Sequence, residues 1–118
     1  MLFKYRSDYE KIAMGLFSLL KDSEDAKYLN QEMKWYESSD NRKIYLWKDK
    51  YDNWSCLVGI EEQDELVVIR RVIFTPDSEN DNSLFEMMDE LKDLYPRQKI
   101  IGTFDTTRLI EKWKKNLK

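Results

Sequence analysis

Apolar positions along this chain switch between helical and strand spacing, and each switch marks an element. Leu2 to Arg6 reads as a short edge strand. Ser7-Asp8-Tyr9-Glu10 has capping-box spacing, in which a hydroxyl accepts from the third amide and a glutamate reaches back. Behind it Tyr9, Ile12, Leu16 and Leu19 fall on one helical face, which predicts a helix to about Leu20. Ser23 is a second predicted cap, and Ala26, Leu29, Met33 and Tyr36 repeat at three and four residues up to the polar breaker Ser38-Ser39-Asp40-Asn41. The period then changes. Lys43 to Lys48, Trp54 to Glu61 and Glu65 to Phe74 are rich in β-branched and aromatic residues, joined by the polar links 49–53 and 61–64. Three antiparallel strands are predicted, and Pro76, which lacks an amide donor, stops the last. Beyond the acidic stretch Asp77 to Asn82, Leu84, Met88, Leu91 and Tyr95 form another helical stripe, ended by Pro96. Lys99 to Phe104 reads as a short strand, and Leu109, Ile110, Trp113 and Leu117 line a last helix.

The order is therefore strand, helix, helix, three-strand meander, helix, strand, helix. A strand that leaves through a helix and returns beside its neighbour makes a parallel pair in an otherwise antiparallel sheet. The fold class expected is α/β with a mixed sheet. At 118 residues the chain is the size of one domain, and a single domain over 1–118 is expected.

Composition narrows the chemistry. Aromatics at 14% favour a packed core, and a net charge of −3 argues against nucleic acid, which needs a basic face. The basic residues Arg108, Lys112, Lys114, Lys115 and Lys118 of the last helix read as a solvated face. No apolar run approaches the ~20 residues of a membrane span, and the first residues carry no secretory pattern, so a cytoplasmic protein without a membrane partner is expected. The lone Cys56, among Trp54, Leu57 and Val58, reads as a buried thiol. Histidine is absent, which removes the His-based triads and most zinc sites, and no metal is expected. Catalysis, if present, falls to carboxylates, Tyr, Lys, water or a cofactor. Glu61, Glu62 and Glu65 are candidates for a general base, although a hairpin carboxylate is more often plain surface.

The stretches Tyr9-Glu10-Lys11-Ile12-Ala13-Met14-Gly15-Leu16, Tyr45-Leu46-Trp47-Lys48, Ile69-Arg70-Arg71-Val72 leading to Pro76, and Met87-Met88-Asp89-Glu90-Leu91-Lys92 carry a resemblance. Together with the element order β1-α1-α2-β2-β3-β4-α3-β5-α4, the chain resembles the GNAT N-acetyltransferases. The local sequence is similar to the small RibT-type proteins of bacterial riboflavin operons. The resemblance implies an acetyl-coenzyme A-dependent N-acetyltransferase of a small-molecule amine. It implies that the fourth and fifth strands splay and that the backbone of Val72, Ile73 and Phe74 meets the pantetheine arm, the alternative for these three being ordinary sheet core. It also places Asn82, Ser83 and Leu84 in the pyrophosphate cradle at the start of the third helix.

Here the pattern departs from the family. The cradle reads Arg/Gln-x-x-Gly-x-Gly/Ala, because glycines let the backbone approach phosphate and helix N-terminal amides face it. The matching window is Glu79-Asn80-Asp81-Asn82-Ser83-Leu84, with no glycine and with Asp77, Glu79 and Asp81 in or beside it. A helix N-terminus favours an anion by about 0.3–1 kcal/mol. A carboxylate about 5 Å from a phosphate opposes it by about 3 kcal/mol at an effective dielectric near 20. Asn82 or Ser83 is expected to cap this helix. The stretch Arg108-Leu109-Ile110-Glu111 offers no hydroxyl where many relatives place a Tyr general acid, and the family's last two strands have no counterpart before Lys118. An alternative therefore stands beside the enzyme: a non-catalytic binding module on the same fold. Self-association as a homodimer would cover the sheet edge left by the shortened end.

Overall fold

A computed structural model describes residues 1–20 and 26–117. The predicted cap Ser23 and the last basic residue Lys118 lie outside the described residues. The elements are β1 (Leu2–Lys4), α1 (Glu10–Phe17), α2 (Ala26–Glu37), β2 (Arg42–Lys48), β3 (Trp54–Glu62), β4 (Leu66–Phe74), α3 (Asp81–Leu94), β5 (Lys99–Gly102) and α4 (Thr107–Asn116). The strands form one sheet in the order β1-β2-β3-β4-β5. All pairs are antiparallel except β4 with β5, the parallel pair that the crossover through α3 demands. The mixed sheet and the element order are those expected.

Helices cover both faces of the sheet. On one face Ala13, Leu16 and Phe17 of α1 and Leu29, Met33 and Tyr36 of α2 pack on Ile44, Leu46, Leu57 and Ile73. On the other, Leu84, Met87, Met88 and Leu91 of α3 and Ile110 and Trp113 of α4 pack on Tyr45, Trp47, Cys56, Val58, Ile60, Val67 and Ile69. Residues 44–47 of β2 and 56–58 of β3 alternate between the two clusters, as the period of a strand requires. The indole of Trp47, 1% exposed, donates to Glu90 Oε2 at 2.7 Å, so the largest buried side chain also satisfies its N–H. Cys56 is the buried thiol expected, and burial pushes its pKa far above the ordinary value.

Several local expectations fail for physical reasons. Ser7 is not a helix cap: Ser7–Tyr9 forms a 3-10 turn, and α1 begins after Tyr9 with no side-chain cap. β1 accordingly ends at Lys4. α1 stops at Phe17 and leaves Leu19 44% exposed, because Ala13 and Phe17 take the core positions assigned to its stripe. β5 stops at Gly102 rather than reaching Phe104, which is 97% exposed. The chain turns there because the Thr103 amide donates to Thr106 Oγ1 at 2.9 Å. A Cβ at Gly102 would lie 2.8 Å from the Thr107 backbone, so only glycine admits this approach of α4. Leu117 is exposed and lies past the end of α4.

Candidate functional site

The sheet opens where β4 and β5 part. Their ladder runs from Leu66↔Lys99 to Ile69↔Gly102 and ends, whereas β4 continues to Phe74, paired with β3 alone. Thr106, buried at the root of the opening, donates its hydroxyl to Ile69 O at 2.6 Å and so fills the acceptor where the ladder stops. Val72, Ile73 and Phe74 lie on this free stretch of β4, opposite Val58, Leu57 and Cys56 of β3. Val72 and Phe74 lean toward α3 and α4, with Phe85 and Leu109 as half-buried apolar neighbours, while Ile73 faces α1 and α2.

A β-bulge sits at the same level. Gly59 pairs with Arg71 and Ile60 with Ile69, which leaves Arg70 as the extra residue of β4. Ile69 and Val72 both face α3 and α4. The two arginines between them share the opposite face, where they line a cavity of about 560 Å³ with Glu32, Trp35 and Tyr36 of α2 and with Thr103, Phe104 and Asp105. Arg71 holds Glu32 through two bonds, Nε to Oε2 at 2.8 Å and Nη2 to Oε1 at 3.0 Å. That carboxylate raises the Arg71 pKa, against burial, so the guanidinium remains charged. Arg70 lies 4.9 Å from the Trp35 ring and touches Glu61 at 3.4 Å. Tyr36 is 4% exposed, and burial, with Glu32 assisting, pushes its pKa far up, so it keeps its proton at neutral pH and can donate. Its place over the sheet depends on Gly59, where a Cβ would lie 2.2 Å from the Tyr36 hydroxyl.

The start of α3 is built differently. Its cap is Asn80, not Asn82 or Ser83: the Ser83 amide donates to Asn80 Oδ1 at 2.9 Å, and the Leu84 amide donates to Asn80 O at 3.1 Å. Asn80 can do this because it holds an extended backbone just before the first helical turn. Leu84 is buried at 3% in the core, Ser83 is half-buried and Asn82 is exposed. The first-turn amides that helix geometry leaves without a carbonyl and the cap does not use belong to Asp81 and Asn82. Asp77, Glu79 and Asp81 are all exposed around them, and Lys112 of α4 reaches Asp81 at 3.3 Å.

The three candidate bases part company. Glu61 lies beside Arg70 and Tyr36 on the cavity face. Glu62 binds Lys43 and the Tyr95 hydroxyl, away from the cavity. Burial would raise its pKa, but those two hydrogen bonds outweigh burial and leave the carboxyl below its ordinary value. Glu65 is exposed in the β3–β4 turn. Glu32, Trp35, Arg70, Arg71 and Asp105 escaped the sequence reading as site residues. The double arginine before Val72 was the available signal, silent without the register of β3.

No protein-family model matches the chain. A curated relative from Bacillus methanolicus, an uncharacterized N-acetyltransferase in the lysA 3′ region, is 35% identical over 112 residues, covering 95% of this chain and 93% of its own. Among solved structures, spermidine N-acetyltransferase from Vibrio cholerae in complex with CoA and spermine is similar at TM-score 0.70 and 11% identity, over 98% of this chain and 78% of that one. Aminoglycoside 6′-N-acetyltransferase AAC(6′)-IG from Acinetobacter haemolyticus is similar at TM-score 0.70 and 8% identity, over 99% and 88%. Relatedness along nearly the whole length, on a sheet parted between β4 and β5, makes this chain a member of the GNAT N-acetyltransferase family.

Proposed function

We propose that this protein is an acyl-coenzyme A-dependent N-acetyltransferase acting on a small-molecule amine. One observation carries the reading: the stretch of β4 left free of β5 begins at the bulge whose Arg70 and Arg71 line the cavity beside α2. A thioester held along β4 would present its carbonyl where an amine in the cavity can reach it. The two halves fit the cofactor unequally. The unpaired backbone of Val72 to Phe74 suits the amides of a pantetheine arm, as an added strand would. The capped, acidic start of α3, with Asn82, Ser83 and Leu84, suits a diphosphate poorly.

On the amine side, the chain has carboxylates to hold an ammonium and to take its proton, in Asp105 and Glu61, and a protonated Tyr36 to donate a hydrogen bond. Acetyl-coenzyme A supplies an acyl carbon activated as a thioester. The experiment is thiol release from acetyl-coenzyme A with an amine panel, alongside calorimetry at physiological salt. We expect transfer with a KM near the top of the usual range, around 1 mM, and weak binding by calorimetry. A low-micromolar dissociation constant would refute the repulsion at the α3 start.

The acidic, capped start of α3 favours a second reading, a non-catalytic binding module on this fold. Absence of both transfer and acetyl-coenzyme A binding at millimolar ligand would select it. The RibT-like stretches support a role linked to riboflavin biosynthesis in the cytoplasm. The unpaired outer side of β5 and the exposed Phe104 support a homodimer, which a light-scattering mass of one chain at high concentration would exclude. Among the described residues no helix is long and apolar enough to cross a membrane, and no cluster of ligand side chains is spaced for a metal.

A further inference from the structure

We infer that the acceptor is a small amine that also carries a carboxylate, of the free amino-acid type, rather than a polyamine. This rests on the transfer reading above and names the substrate class for the same cavity. The charged groups that line it are Glu32, Arg70, Arg71 and Asp105, two of each sign. Glu32 is committed to Arg71 by the bidentate pair, which leaves Arg70, bound to no other lining residue, and Asp105, with no ion pair among the described residues, as the uncommitted charges of the lining.

Arg70 is suited to a carboxylate. Its guanidinium is held against Trp35, its one ion-pair contact among the described residues is a long one at 3.4 Å to Glu61, and its side chain is 41% exposed. A planar donor fork fixed on an aromatic face, with N–H groups to spare, matches a carboxylate's two oxygens. Arg42, 4.0 Å from the same Trp35 ring, adds positive charge at that end. Asp105 belongs to the turn after β5, beside the opening, where it would draw an ammonium toward the reacting side. Arg70 is the residue that the bulge adds to β4, so the irregularity beside the last β4–β5 pair also supplies the anchor. A polyamine meets the reverse conditions: several positive charges would face two arginines, with a single uncommitted carboxylate on the lining. The volume, about 560 Å³, suits a small molecule of this size.

The test measures kcat/KM for free amino acids, their carboxamides and spermidine, with acetyl-coenzyme A at millimolar concentration. We expect the acid of a matched pair to exceed its carboxamide by roughly 10- to 100-fold, the range for losing one charged hydrogen-bonding partner. Arg70→Gln should erase that ratio, whereas a structural loss would lower both rates and preserve it. Arg70→Glu should reverse the preference toward diamines. Equal use of acid and carboxamide, or a preference for spermidine in the unaltered chain, overturns the inference while N-acetyl transfer stands. If no amine is acetylated, the transfer reading fails. Calorimetry of free amino acids on the chain alone then decides the substrate class: tighter binding of the acid upholds it, and no difference from the carboxamide overturns it.

Discussion

The cavity beside α2 and the start of α3 carry their charges in opposite arrangements. Beside α2 the charges of both signs are interleaved: Arg71 is paired with Glu32, Arg70 rests against Glu61 and Trp35, and Asp105 lines the same cavity. At the start of α3, the exposed acids Asp77, Glu79 and Asp81 have one cationic partner among the described residues, Lys112 at Asp81. A balanced wall receives a polar ligand at little electrostatic cost. An unbalanced acidic one repels a dianion by more than the helix terminus attracts it. On the proposed reading, the cavity would accept an amine readily, while the start of α3 would resist a diphosphate.

The largest effect expected comes from placing glycine in the first turn of α3. Leu84→Gly removes a core side chain that is 3% exposed and adds a helical glycine. It should destabilise the chain by about 3–5 kcal/mol in denaturant titration, since core truncation alone costs about 2–5. A loss under 1 kcal/mol would mean that the first turn of α3 is not fixed by the core. Charge can be changed without that penalty. Glu79→Arg with Asn82→Gly alters only exposed positions and should tighten acetyl-coenzyme A binding at least tenfold at low salt. Each carboxylate removed relieves up to about 3 kcal/mol before screening. A gain unchanged in high salt would show that something other than charge controls this end.

On the amine side, Gly59→Ala should cost about 1–3 kcal/mol as an overpacking change, because the new methyl meets the Tyr36 ring. It should weaken amine use more than acetyl-coenzyme A binding, and the reverse pattern would detach Tyr36 from the cavity. Stability should also fall as pH rises past 10. Tyr36 and Tyr95 have folded pKa values raised by burial, so their contribution is complete below the ordinary tyrosine value and fades above it, as the unfolded chain ionises first. Tyr36→Phe should flatten that alkaline limb in pH-dependent unfolding. The smallest effect belongs to the Arg71–Glu32 pair, whose side chains are 36% and 23% exposed and for which a double-mutant cycle should give about 1 kcal/mol of coupling.

The sequence made the fold legible because nearly every element carries an amphipathic stripe or a run of strand formers closed by a breaker. The spacing of Leu84, Met88, Leu91 and Tyr95 predicts one face of a helix ended by Pro96, and all four are buried in α3 or just past it. Errors gathered at the ends of elements, where one hydrogen bond or close approach decides. Ser7 lost its capping role to a 3-10 turn, Asn80 took the cap expected of Asn82 or Ser83, and Gly102 ended β5 early.

Sequence by itself determined the order of elements, the mixed sheet, the buried Cys56 and the acidity of the α3 start, since each follows from residue type and local spacing. Tertiary structure alone decided the cavity beside α2. Val67 to Ile69 and Val72 to Phe74 are apolar throughout, because both faces of the sheet are covered, so alternation could not report which way each residue points. The extra residue in β4 exists only relative to β3. Until Gly59 is set against Arg71 and Ile60 against Ile69, nothing places Arg70 and Arg71 side by side against α2.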